Sequence, residues 1–546
     1  MPRWRSWLAS NLIHLPGKLA GVTRDPRRLA EILLIFAVFF IQGAWPVPDV
    51  NETHYLGKAA HYWNPSWIEN DFFLDSPDTH HVFYFTFGWL ALWLEPAAMA
   101  WLGRILTWGL LAWSWRRLSV AVVDRPWLAV FSGALFAYLV ERGHMSGEWV
   151  IGGVEAKGFA YVLVFLGLEA LVRDRWNRAL LCFGGAACFH VLVGGWAAVA
   201  AALAWIGLGR QRPSPRSLLP GLVGGLMLSL PGLLPSLLLN WGTDPATVRA
   251  AHEIYVYKRL AHHLVFARFP LEMILRFLAL VGAFALLARR IAVQNREGFK
   301  APGRSVDASG PKRLTAFVVG SLVIAAVGVE LGMWAEFAPG PAAGLLRFYW
   351  FRLSDVVVPL AVALLATLWV SRLFGERPTQ ARWIAAILLS ISAIHLGGFA
   401  LERPPGTLPR GDKRVRHPEW RLACEWIAQS PLIPRDAVFL TPMESQTFKW
   451  RARRAEVVTR KDIPQDARTI VAWWSRLQEI HATRSCDPEY QWYASLTARG
   501  EAALRRLGAK YGADYLLTEA KPRLALELLY ANRVYAVYRI SDRKQP

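Results

Sequence analysis

Residues 29–45 run Leu29-Ala30-Glu31-Ile32-Leu33-Leu34-Ile35-Phe36-Ala37-Val38-Phe39-Phe40-Ile41-Gln42-Gly43-Ala44-Trp45, and the chain then turns into Pro46-Val47-Pro48-Asp49-Val50-Asn51-Glu52. A helix crosses the hydrocarbon of a bilayer with about 20 largely apolar residues, and with fewer when it is tilted or lines a pocket. The run is of that kind, and ten more follow it: 95–114, 126–140, 158–172, 179–191, 193–208, 217–239, 271–288, 314–334, 350–371 and 383–400. The stretch 179–208 is too long for one crossing and is read as two short helices turning at His190. Residues 82–94 end at Glu95-Pro96 and are read as a helix lying in the interface. The composition agrees. Of 546 residues 54% are hydrophobic and only 19% charged, against about a quarter in a soluble domain. Thirty-three Pro, 42 Gly and four Cys exclude a coiled coil and a disulfide-rich scaffold, and the apolar content excludes disorder. Twenty-seven Trp suit a membrane interface, where an apolar ring keeps a wet N–H. The expected fold class is a mainly α polytopic membrane protein.

A net charge of +21 would suggest nucleic acid in a soluble protein. In a membrane protein it is first a matter of sidedness. The N-terminus, 115–125, 173–178, 209–216, 289–313 and 372–382 together hold about 25 Lys and Arg, against about 8 in the intervening segments. That bias predicts a cytoplasmic N-terminus. Eleven crossings then put everything after residue 400 outside the cell (inner) membrane. Residues 1–28 are expected to be a cytoplasmic segment rather than a cleaved signal. The basic stretch 289–313 is expected to face anionic lipid, and no nucleic-acid partner is expected.

Residues 413–546 change character. Helical patterns at 419–428, 465–481 and 498–511 alternate with β-rich runs at Ala437–Leu440, Glu456–Thr459, Tyr515–Thr518 and Val534–Ile540, with a further helix expected over 521–531. This predicts a small extracytoplasmic α/β domain beyond a transmembrane domain of residues 29–400. An oxidising compartment would permit Cys424 and Cys486 to pair. Cys182 and Cys188 are expected as membrane core residues.

Three loops carry the candidate chemistry. The first outer loop, 46–81, sets Asp49, Glu52, Glu69, Asp71, Asp75 and Asp78 against a single lysine, Lys58. Asp49 and Glu52 are three apart, so a helical turn puts both carboxylates on one face, and His54 and Tyr55 follow. Such a carboxylate can act as general base on a hydroxyl or ligate a divalent cation such as magnesium or manganese. Simple solvation of an outer loop would also account for the acids. The second loop contains His144, Glu148, Glu155 and Lys157 among glycines that permit close backbone approach. The alternative for Glu155 and Lys157 is an interfacial ion pair. The third group is Arg259, His262, His263, Arg347 and Arg352, outer-side cations with aromatic neighbours. Arginine forks suit phosphate oxygens. An internal pair of Arg352 with Asp355 is the plain alternative, and adjacent His262 and His263 are expected to diverge. His190 is expected to be structural, while Glu330 and Glu336 must face protein or water. The chain has no Walker A loop, HExxH, CxxC or GxSxG motif, which removes the usual support for ATP-driven pumping, zincin or α/β-hydrolase chemistry.

The strings Asp49-Val50-Asn51-Glu52-Thr53-His54-Tyr55-Leu56, Gly153-Val154-Glu155-Ala156-Lys157-Gly158 and Tyr349-Trp350-Phe351-Arg352-Leu353-Ser354-Asp355 resemble those of uncharacterised bacterial members of the GT-C class of membrane glycosyltransferases. The layout, one span, an acidic outer loop, further spans and a C-terminal α/β domain, is similar to that class as well. The resemblance implies transfer of a sugar from a polyprenyl-phosphate-linked donor to a lipid, glycan or protein acceptor on the outer face. It implies Asp49 as the base, assisted by Glu52 or Glu155, and places the donor phosphate among Lys157, Arg259, His262, His263, Arg347 and Arg352. His54, Tyr55, His144, Glu148 and Asp355 would line the acceptor side of the cavity. A later Asp-x-Asp pair is missing, so the class's metal site is not expected. Glu444, Lys449 and Trp450 are candidates to cap the cavity or bind acceptor. Two other functions compete: a transporter or lipid-carrier flippase without covalent chemistry, and an assembly or sensor protein that binds a partner through its outer domain.

Overall fold

The computed structural model describes residues 25–296, 309–483 and 491–541. Residues 1–24, much of the basic stretch 289–313, and Cys486 lie outside the described residues. A helix stands at each of the eleven apolar runs. In chain order, with the shorter helices between them, these are α1 (Pro26–Gly43), α2 (Glu52–Trp63), α3 (His81–Phe87), α4 (Pro96–Val122), α5 (Leu128–Arg142), α6 (Ala156–Val172), α7 (Trp176–Phe189), α8 (Val191–Gly207), α9 (Pro215–Leu238), α10 (Pro245–Glu253), α11 (Leu271–Arg296), α12 (Gly310–Trp334), α13 (Pro339–Leu346), α14 (Arg352–Glu376) and α15 (Pro378–Leu401). Five of them, α9, α11, α12, α14 and α15, are long and apolar enough to span a bilayer. The other candidates are either shorter or interrupted by charge.

Packing sorts the long helices by role. α14 is buried along nearly its whole apolar length, whereas α9, α11 and α15 leave most of theirs uncovered. α5, α11, α12 and α15 pack around α14. Trp108, Trp115, Phe136 and Phe165 fill the core beside them, with Trp115 stacked on Phe136 at 4.4 Å. The uncovered faces carry Leu222, Leu226, Leu275, Leu278, Ile387 and Ile394, the outward apolar surface of a membrane helix rather than of a soluble one. α7 ends and α8 begins around an extended His190, as expected for a short hairpin. α3 continues into a 3-10 turn over Gly88–Leu92 and exposes Phe85, Trp89 and Trp93, an interfacial set.

α9 keeps Pro220, Pro231 and Pro235 inside a helix, which close neighbours must support. The support is α7, at very short range. A Cβ on Gly184 would meet the Gly225 carbonyl oxygen at 2.0 Å. Gly184→Ala is therefore expected to push α7 off α9 at a cost of about 1–3 kcal/mol, read as a lower melting temperature in detergent. Gly195→Ala, where nothing lies within 4 Å, is the control and should leave the melting temperature unchanged.

The C-terminal domain is a five-stranded sheet of β1 (Val438–Leu440), β2 (Ala455–Glu456), β3 (Tyr515–Glu519), β4 (Glu527–Ala531) and β5 (Tyr535–Arg539) in the order β2-β1-β3-β5-β4. β2, β1 and β3 run parallel; β5 is antiparallel to both β3 and β4. The strand period of two explains the layers. Tyr515, Leu517, Tyr535 and Val537 face α16 (Glu419–Gln429). Leu516, Ala536 and Tyr538 face α17 (Ala467–His481) and α18 (Glu501–Tyr511). Residues 521–531 are a correction: their end is strand β4, not a helix. Leu and Ala favour a helix there, but pairing Glu527 with Arg539 and Leu528 with Tyr538 covers the edge of β5 and overrides the propensity. The second strand is shorter than expected, Ala455–Glu456 in place of Glu456–Thr459. Cys424 lies buried in α16 as a free thiol, and its suggested partner is outside the described residues.

Candidate active site

The chain's three quoted strings, far apart in sequence, meet where the first loop, the mouth of α6 and the start of α14 face the C-terminal domain. Glu52 opens α2 and is wholly buried against Arg104 of α4, which is wholly buried too. Arg104 donates from Nε to Oε1 at 2.6 Å and from Nη2 to Oε2 at 2.7 Å, and also reaches the Trp45 carbonyl. The Val154 amide donates to Glu52 Oε1 at 3.0 Å and the Asp49 amide to Oε2 at 2.7 Å. Every acceptor position of Glu52 is used. Asp49 is 3% exposed; its Oδ1 accepts from the Val50 amide at 2.7 Å and its Oδ2 from Gly153 at 3.1 Å. Asp49 and Glu52 thus do act on one face, but on adjacent amides of the second loop. A Cβ at Gly153 would stand 2.8 Å from that of Asp49, so the approach requires glycine. Both carboxylates hold the 150–155 loop in place, Glu52 with two donors on each oxygen and Asp49 with one on each.

Glu155 is placed differently. It caps α6 in an extended conformation, buried, with only long contacts: Asn51 Nδ2 at 3.4 Å and Lys157 Nζ at 3.6 Å. Burial raises its pKa above the ordinary carboxylate range, opposed by Lys157. Lys157 bridges Glu155 and Glu148, 3.5 Å from Glu148 Oε1, with its ammonium 4.1 Å over the Trp149 ring. Glu148 Oε2 lies 3.0 Å from Arg352 Nε, and Arg352 stacks on Tyr349 at 3.9 Å. The Arg352–Asp355 pair considered from sequence does not form. Asp355 instead accepts from the Met145 and Ser146 amides at 2.8 Å and the Ser146 hydroxyl at 2.7 Å, tying α14 to the second loop. Arg352 Nη1 lies 3.1 Å from His190 Nε2, so His190 belongs to this group through its neighbour. Tyr349 holds a left-handed backbone at φ 55, uncommon for an aromatic residue, with its hydroxyl 3.2 Å from that of Tyr255.

The remaining expected residues spread around this centre. Tyr55 lies beside His80 and His54; burial and then Glu155 raise its hydroxyl well above the usual range. His263 Nδ1 lies 2.5 Å from the Ser146 carbonyl, and burial followed by His262 lowers its pKa to about 3. The rings of His262 and His263 pack 4.1 Å apart rather than diverging. Arg259 donates from Nε to the Arg460 carbonyl at 2.9 Å. Arg347 lies one layer out on His252 and Phe348. Burial lowers the pKa of His144, whose Nδ1 is buried without a hydrogen-bond partner. His54 stands 3.8 Å from Asp462 of the C-terminal domain, and its own burial lowers its pKa. Among the described residues no group of three or more His, Cys, Asp or Glu side chains is arranged to hold a metal ion.

The C-terminal domain supplies Lys461 and Gln465, which the sequence reading missed, beside the expected Lys449, Glu444 and Trp450. Lys461 reaches across to Asn51 Oδ1 at 2.7 Å, and burial, followed by Arg259, lowers its ammonium to about 8. Its signal was the charge run Arg460-Lys461-Asp462 between the apolar Val457-Val458 and Ile463-Pro464 pairs. Gln465 accepts from the Thr79 amide and hydroxyl at 3.1 and 2.8 Å. Lys449 is an internal centre, 2.6 Å from Glu456 Oε1 and 2.8 Å from Asp462 Oδ2; against its burial, Asp462, Asp71 and Glu456 hold its charge above the ordinary lysine range. Glu444 lies at Arg460, and Trp450 packs beside Tyr55 and Phe83.

Residues 418–480, which carry Lys449, Lys461 and Asp462, match the family model of a domain of unknown function, DUF6798. No curated protein matches the chain.

Proposed function

We propose that this junction transfers a glycosyl group from a polyprenyl-phosphate-linked sugar to a hydroxyl-bearing acceptor at the membrane face. The observation that carries the reading is one buried carboxylate, Glu155, with no short hydrogen bond, set beside Lys157 and within the field of Arg352 and Lys461. Glu155 takes the acceptor proton as the hydroxyl oxygen bonds to the anomeric carbon. The bond from that carbon to the phosphate oxygen breaks, and its electron pair leaves with polyprenyl phosphate. Lys157, Arg352 and Lys461 stabilise the charge that develops there. Burial raises the pKa of Glu155, which makes it a stronger base for the acceptor proton than an exposed carboxylate. Eleven crossings, a cytoplasmic N-terminus and an extracytoplasmic C-terminal domain go with this reading.

The test is binding of undecaprenyl phosphate to the purified full-length protein, followed across pH. Affinity should fall as pH rises through about 8, because Lys461 then loses the proton that gives it charge. Lys461→Arg should remove that alkaline fall, and Arg352→Gln should weaken binding about tenfold or more. Equal affinity of wild type and Arg352→Gln rejects the phosphate site. Carrier movement across sealed vesicles without any released sugar product would favour the flippase instead.

A further inference from the structure

The opposite end of the same helices holds a second charged site. α1 begins there, and α4 and α6 end there, so it lies about 25 Å from Glu155 along the 17 residues of α6. The cleft has a volume of about 400 Å³ and is lined by seven arginines against three acids. Its two buried glutamates both accept from arginines, although Glu169 Oε2 is buried without a hydrogen-bond partner. Glu31 accepts from Arg116 Nε at 2.7 Å and from the Trp127 amide at 2.8 Å. Glu169 accepts from Arg173 Nε at 2.8 Å and Arg117 Nη2 at 3.3 Å. Arg28 pairs with Asp25 at 2.9 Å. Among the described residues Arg27, Arg125 and Arg175 have no carboxylate partner, and Arg117 Nε is buried with no hydrogen-bond partner. The cleft therefore has an excess of cation and at least one unused donor.

We infer that this cleft binds the phosphodiester headgroup of an anionic phospholipid. Arginine forks match phosphate oxygens, and basic pockets between membrane helices take such headgroups. The surroundings select a lipid over free phosphate. Leu29 and Leu33 of α1 and Trp127, each within two residues of the lining residues Arg28, Glu31 or Pro126, stand exposed, and acyl chains and the interface would cover them. The site is independent of the transfer reaction proposed above, and uses none of its residues.

The experiment measures the melting temperature of the full-length protein in mild detergent with added phosphatidylglycerol, phosphatidylcholine or inorganic phosphate. Ligand that binds only the folded state raises it in proportion to occupancy. Phosphatidylglycerol should raise it by several degrees, phosphatidylcholine should not, and about 500 mM salt should diminish the effect. The triple variant Arg27→Gln/Arg125→Gln/Arg175→Gln should need about tenfold more phosphatidylglycerol for the same rise. Salt sensitivity in the wild type gives a second readout should that variant fold poorly. Equal shifts from both lipids, an unaltered response in a folded triple variant, a shift indifferent to salt, or full replacement by inorganic phosphate would each overturn the inference.

Discussion

Glu155→Gln is expected to slow sugar transfer about 10²–10⁴-fold while binding of undecaprenyl phosphate stays within a few-fold of wild type. The amide keeps the shape of the side chain and its contact with Asn51, but it cannot accept the acceptor's proton. The acid limb of the wild-type rate profile should lie above the ordinary carboxylate range, because burial favours the protonated form of Glu155 and the rate needs the ionised one. Asp49→Asn makes the contrast. Both oxygens of Asp49 accept backbone amides, so turning one into a donor opposes the Val50 or Gly153 N–H and should lower the melting temperature first. Turnover lost in Asp49→Asn at unchanged stability, with Glu155→Gln still active, would return the base to Asp49.

Arg104→Met is expected to cost about 3–5 kcal/mol, the largest stability loss of any single change considered, because it leaves Glu52 buried with an uncompensated charge. The expected readout is a collapse of the folded fraction during detergent denaturation. Pairing it with Glu52→Gln should recover part of the loss, since the stranded carboxylate is then gone. A single Arg104→Met variant as stable as wild type would show that this pair does not hold the first loop to the bundle.

The apolar runs are legible because apolar helices announce themselves by length and hydropathy; every run from 29–45 to 383–400 has its helix, and five of these are long and apolar enough to span a bilayer. The hairpin at His190 and the α/β alternation of the C-terminal segment were legible on similar grounds of period and punctuation. The residues 521–531 were not. A Leu-rich stretch satisfies a helix and a strand equally, and the free edge of β5 decided between them. The sequence singled out three loops that the fold brings together, but it does not show which of their carboxylates take donors from elsewhere in the chain. Asp49 and Glu52 looked the more chemical because they sit together beyond the first span. Their partners, Gly153 and Arg104, are 104 and 52 positions away.

What the sequence determined by itself is the set of apolar helices and the presence of a separate α/β domain, because burial in lipid or in a sheet leaves a periodic mark on neighbouring residues. What only the tertiary structure decided is which charges are spent. Whether a carboxylate is satisfied or unengaged depends on donors brought from distant loops, as Lys461 is brought across 410 positions to Asn51 beside Glu155. Hydrogen-bond saturation is a property of assembled neighbours, and no local pattern carries it.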